Sequence, residues 1–109
     1  MDRKQFIKRL EQLYNSNLEI SRKKNADYST GSDPFKNFRA CEFLGITSVE
    51  KGILVRMTDK MTRISNLLEK EAQVKDESIL DSLQDLSNYA MILRVYMEQK
   101  NYENTRTIN

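Results

Sequence analysis

DESILDSLQDLSNYAMIL, residues 76–93, decides the fold class. Ile79, Leu83, Leu86, Ala90 and Leu93 recur at steps of three and four, and Met97 continues the series. That is the period of one buried α-helical face, so the spacing predicts a helix capped by Asp76 and reaching about Lys100. Glu77, Asp81 and Asp85 stand at steps of four and stack three carboxylates on a single side of that helix. At about 100° per residue, Asn88, Ile92 and Tyr96 fall in the same sector, with Tyr89 at its edge. A face that begins as carboxylates and ends as Ile and Tyr addresses a cleft or a subunit interface along part of its length. Clustered acids in a cleft serve a divalent metal, a basic partner or a raised pKa.

Upstream, Thr47 and Glu50 form a capping-box pattern that opens a helix to about Lys70. Ile53, Met57, Met61, Ile64 and Leu68 mark its seam. The linker EAQVKD is short, so this helix and the next are expected to pack antiparallel. Asp33-Pro34 reads as a cap with proline at the first helical position, opening the short helix FKNFRACEFL that Gly45 stops. The loop NADYSTGSD precedes it. A first helix runs from about Asp2, paired with Gln5 as a cap, to Lys24. It places Phe6, Leu10, Leu13, Asn17 and Ile20 on one face, with Ile7, Tyr14 and Leu18 beside them. No stretch alternates with period two.

The reading is therefore an all-α antiparallel bundle of three long helices and one short one. It forms a single domain over 1–100 with a polar, disordered tail over 101–109. Both C-terminal helices are apolar over more than one stripe, so a homodimer or higher oligomer is expected to complete the core.

Bulk properties narrow the chemistry. The chain has 109 residues and a net charge of +2, which gives no general case for nucleic acid or a membrane surface. No apolar run approaches the roughly 20 residues of a membrane span, and MDRKQFIKRLEQL lacks a signal-peptide core. A single cysteine, Cys41, points to a reducing cytoplasm. With no histidine, a Ser-His triad, a Cys-His pair and an intrachain zinc site are all excluded. Carboxylates, Lys, Arg, Tyr, Ser and Thr remain.

Arg56, Asp59, Arg63 and Asn66 share one face of the third helix, with Lys60 at its edge. The plain reading is a solvated face with an Asp59–Arg63 pair worth a few tenths of a kcal/mol. If the two helices are antiparallel neighbours, Arg56 and Arg63 face the acid stripe. The two sets then neutralise one another, or Asp81, Asp85, Glu77 and Asp59 hold Mg²⁺ while Arg56, Lys60 and Arg63 take the accompanying phosphates. Glu77 sits in a first turn, where the helix dipole favours a carboxylate without any function, so Asp81 and Asp85 are the stronger candidates. Lys24 precedes the loop NADYSTGSD, and Tyr28 within it could stack on a base. Tyr89 and Asn88 are the corresponding aromatic and amide on the last helix.

KNADYS at 24–29, DPFKNF at 33–38, LVRMTDKMTRISNLL at 54–68 and DESILDSLQDLSNYAMIL at 76–93 together resemble small phage and prophage proteins grouped as nucleotide-modification-associated domain 1. The resemblance implies an all-α fold and a connection to nucleotide metabolism in the cytoplasm of an infected bacterial host. A fainter similarity reaches the all-α MazG and dimeric dUTPase-type nucleoside triphosphate pyrophosphohydrolases. Those hold Mg²⁺ with an E-x-x-E on one helix and an E-x-x-D, followed by a tyrosine, on another. Asp85 and Tyr89 match that Asp and Tyr, but Ser82 stands at the preceding acid with Asp81 one residue earlier. Asp59 is followed by Lys60 and Arg63 where a second acid belongs. The expectation is an accessory protein that binds a nucleotide or nucleotide-derived signal between the last two long helices, for sequestration or delivery. Mg²⁺-dependent pyrophosphohydrolysis is the enzymatic alternative, and a protein–protein inhibitor of a host enzyme is the third.

Overall fold

The computed structural model describes the backbone of residues 1–28, 33–70 and 77–108, and the side chains of the same segments outside 27, 28, 77, 78 and 102–108. Within them the chain is all-α, with α1 (Arg3–Tyr28), α2 (Ala40–Phe43), α3 (Val49–Leu68) and α4 (Glu77–Ile108) and no strand. None of these helices is long and apolar enough to cross a membrane. The chain divides into two compact units, Met1–Asn37 and Phe38–Asn109.

In the first unit the expected cap closes reciprocally. Asp2 Oδ1 accepts from the Gln5 amide at 2.8 Å, and the Asp2 amide donates to Gln5 Oε1 at 2.9 Å. α1 passes Lys24, where the sequence reading ended it, and takes Asn25–Tyr28 out of the expected loop. The Asn25 side chain then holds the returning strand of chain by donating to the Pro34 carbonyl at 2.8 Å. Asp33 Oδ1 accepts from the Phe35 amide at 3.0 Å, an Asx turn rather than a helix cap. The expected short helix therefore begins as turns over 34–39, and only Ala40–Phe43 is α-helical. Gly45 stops it as anticipated. Its φ of +73° is a left-handed conformation that glycine reaches without strain.

The second unit is built on an antiparallel pair of α3 and α4. Lys60 meets Asp85 and Glu50 meets Lys100, so residue numbers fall along one helix as they rise along the other. Val49, Ile53, Phe38, Ile79, Ser82 and Tyr96 are buried. Small Ser82, 3% exposed, sits among them. Gly52 serves a close approach of another kind: a Cβ there would lie 2.6 Å from Cys41 Sγ, so the bare backbone of α3 admits the thiol. The half-buried thiol itself donates to the Phe38 carbonyl at 3.1 Å.

Two boundaries differ from expectation. Ser48, not Thr47, caps α3, its hydroxyl accepting from the Lys51 amide at 3.2 Å. Glu50 is thereby released from the expected capping box and reaches Lys100 instead. At the other end α4 carries the residues of the expected tail as helix to Ile108. Asp76 and the linker EAQVKD lie outside the described residues.

Much apolar surface remains open. On α3 Leu54, Val55, Met61 and Leu68 are exposed, and on α4 Leu80, Leu83, Met91 and Val95.

Candidate functional site

One side of α3 forms an open recess of about 490 Å³, lined by Asp59, Lys60, Thr62, Arg63, Asn66 and Leu67. Steps of three and four bring these residues to one face. Two cations, one carboxylate, a hydroxyl and an amide surround an apolar leucine. That is a mixed donor and acceptor set suited to an anion carrying sugar or base groups.

The two charged helix faces do meet, through a residue placed at the edge of the predicted set. Lys60 Nζ lies 3.1 Å from Asp85 Oδ2, with side chains 30% and 24% exposed. Arg63 and Asp59 make no ion pair with each other or with any other described residue, so the pair expected between them does not form. The Arg63 guanidinium is free to bond an incoming anion. Arg56 is engaged elsewhere. Its guanidinium stands 5.1 Å from the centroid of the Phe38 ring, a cation–π contact. Tyr89 packs edge-on against the same ring at 6.4 Å and 85°. Phe38 thus gathers Arg56 and Tyr89 beside the seam.

The acid stripe is only partly assembled. Asp85 is drawn to α3, Asp81 is exposed, and the Glu77 side chain lies outside the described residues. Among the described residues no three acidic or cysteine side chains converge as a metal cage. Ser82, at the position where the pyrophosphohydrolase pattern carries an acid, is buried in the helix seam. Asn88 has a buried Nδ2 that finds no acceptor in the structure. Lys24 and Tyr28 belong to the other compact unit, and the Tyr28 side chain lies outside the described residues.

A second polar cluster was not foreseen. Glu50 Oε2 accepts from Lys100 Nζ at 2.9 Å, while Glu50 Oε1 is buried without a hydrogen-bond partner. The Arg39 guanidinium lies 5.8 Å from the centroid of the Tyr96 ring. Glu42 Oε2 accepts from the Val49 amide at 3.4 Å, meeting the open start of α3. The Lys100 hydrogen bond lowers the Glu50 carboxyl from its ordinary 4.5, with burial opposing. The same bond raises Lys100 from 10.5. Burial, then the charges of Glu50 and Glu42, raises the Tyr96 hydroxyl from 10.0.

Glu50 has a depressed folded pKa, so its contribution is complete above 4.5 and is lost as pH falls through the lowered value. Tyr96 and Lys100 have raised ones, so theirs are present below 10.0 and 10.5 and lost as pH rises through the raised values. Stability is expected to plateau between those limits. Glu50→Gln should lower the plateau by about 1 kcal/mol, half-exposed Lys100 being partly screened by water, and should flatten the acid limb. Urea titrations at stepped pH measure both. An acid limb of unchanged steepness in Glu50→Gln would assign it to other carboxylates.

Comparison with protein-family models, curated proteins and solved structures finds no match to this chain.

Proposed function

We propose that the protein binds a phosphorylated nucleotide or nucleotide-derived small molecule in the α3 recess, and acts by holding that ligand. One observation carries the reading: Asp59, Lys60, Thr62, Arg63 and Asn66 line one open face of α3 beside Leu67. Arg63 takes a phosphate through its planar fork, where a bidentate contact is strongest. Lys60 supplies a second cation, shared with Asp85. Asp59 accepts from sugar hydroxyls, and Asn66 and Thr62 pair with polar edges of the base or sugar. Mg²⁺, where it enters, arrives with the ligand's phosphates. Asp59 and Asp85 offer the one or two carboxylates such an ion ordinarily takes from protein.

The donor set favours binding over hydrolysis. Activating a water at phosphorus through bound metal calls for several converging carboxylates. Here one acid of the facing pair is bonded to Lys60, and the next pattern position is a buried serine. A binder without turnover suits sequestration of a signal, or its delivery to an enzyme.

A thermal-shift panel of mono-, di- and triphosphates, cyclic nucleotides and dinucleotides, with and without Mg²⁺, tests this. A ligand present at a hundred times its Kd stabilises the fold by about 2.7 kcal/mol, a rise in Tm of several degrees. The expected hit is recovered intact by chromatography. Recovery as monophosphate and pyrophosphate would make the protein an enzyme, and no shift across the panel would end the ligand reading.

A further inference from the structure

A second stripe on α3 is built of Leu54, Met61 and Leu68; Met61 and Leu68, expected in the seam, are exposed instead. The three are 48%, 59% and 55% exposed. Each stands seven residues from the next, just under two turns, so the three stay in register along the helix with only a small drift. Each heptad thus contributes one apolar position to this face. Thr58 lies alongside, and its hydroxyl donates to the Leu54 carbonyl at 2.9 Å. Covering Thr58 therefore leaves no hydrogen bond unmet.

The flanking charges suit one kind of occupant. Lys51 stands at the start of α3 and Glu69 just past its end, about five turns apart, and so on the same side of the helix. Glu69 keeps helical dihedrals, φ −72° and ψ −16°, so its side chain continues the phase of α3. Neither residue makes an ion pair with a described residue. A helix with an apolar stripe between a lysine at one end and a glutamate at the other complements an antiparallel copy of itself. A parallel copy would set lysine on lysine. The low net charge of +2 leaves little repulsion between two chains.

We propose that this face is the seam of a symmetric homodimer in which two α3 helices pack antiparallel. Met61 lies near the two-fold axis, and Lys51 lies beside Glu69 of the partner subunit. The interface is isologous, as a two-fold requires. α3 is 20 residues long, about 30 Å, and its contact falls at the small end of specific interfaces. The dimer should dissociate in the micromolar range. The proposal stands independently of the ligand.

Light scattering on the eluting full chain is expected to give twice the 12.8 kDa chain mass at high concentration. Met61→Lys should give the single-chain mass with unchanged helicity by circular dichroism, because Met61 is already exposed. Lys51→Glu should weaken the dimer about five-fold, two equivalent pairs being lost, and adding Glu69→Lys should restore it. In a Cys41→Ala background, oxidised Met61→Cys should cross-link with itself. Leu54→Cys should cross-link with Leu68→Cys when the two are mixed, and neither alone. A single-chain mass at every concentration, the result if α1 or another protein covers the stripe, overturns the proposal. So does a dimer indifferent to Met61→Lys, or a Leu54→Cys that cross-links with itself.

Discussion

Ile53→Ala is expected to lower the stability of the protein by about 3 kcal/mol, within the 2–5 kcal/mol typical of a buried aliphatic truncated to alanine. Ile53 is fully buried, and Val49 one turn earlier is buried with it. Among the described residues, α3 and α4 have few other buried side chains to share the loss. A chain of this length has a total stability of roughly 5–15 kcal/mol, so a single truncation removes a large part of it. The melting temperature should fall by about 10 °C or more. Leu54→Ala, at the adjacent position but half exposed, should cost under about 1 kcal/mol in the isolated chain. Urea unfolding followed by circular dichroism compares the two. Equal losses would mean that the α3–α4 seam does not run through Ile53.

Arg63→Ala should weaken ligand binding by about 10- to 100-fold, the loss of one charge-assisted contact to phosphate, without changing stability. No described residue depends on Arg63. Lys60→Ala should behave differently, because it strips Asp85 of its partner as well. It should lose affinity to a similar extent and also about 1 kcal/mol of stability, since both groups of that pair are about three-quarters buried. Asp85→Asn relieves the stranded charge, so combining it with Lys60→Ala should recover stability but not affinity. Calorimetric titration with the best ligand, paired with urea unfolding of each variant, separates the two effects. Equal affinities for Arg63→Ala and the unaltered chain would remove Arg63 from the site.

The helices were legible because their signals are local. The Asp2–Gln5 cap, the Gly45 stop and the helical period of α3 and α4 each lie within a few residues, and each is present. Met61, Leu68, Leu83 and Met97 of the expected seams are exposed, however, while Val49, Ser82 and Tyr96 are buried. Errors arose where neighbouring residues compete for one role. Thr47 and Ser48 are both good caps, and the backbone chose Ser48. Asp33 was spent on an Asx turn, which shortened the next helix to Ala40–Phe43. Asn25–Tyr28 reads as loop by composition, yet α1 extends through it.

The site was half legible for a different reason. Helical spacing places Asp59, Arg63 and Asn66 on one face, and that face is the recess. Spacing does not give the rotation of α3 against α4. That rotation sets Lys60, rather than Arg56 or Arg63, against Asp85 and lays Arg56 over Phe38. The Glu50–Lys100 bond spans fifty positions and has no local signature. Its one sequence clue is that Ser48 leaves the Glu50 side chain without a capping role.

On the proposed function, the ligand binds in the α3 recess. Titrating the isotopically labelled protein with the best nucleotide, while following backbone amide and arginine side-chain resonances, tests it most directly. Saturable shifts should centre on residues 59–67, with the Arg63 Nε resonance among the largest, and the Arg39 resonance should stay still. Saturable shifts confined to the Glu50–Tyr96–Lys100 cluster or to α1, with residues 59–67 unmoved, would contradict it.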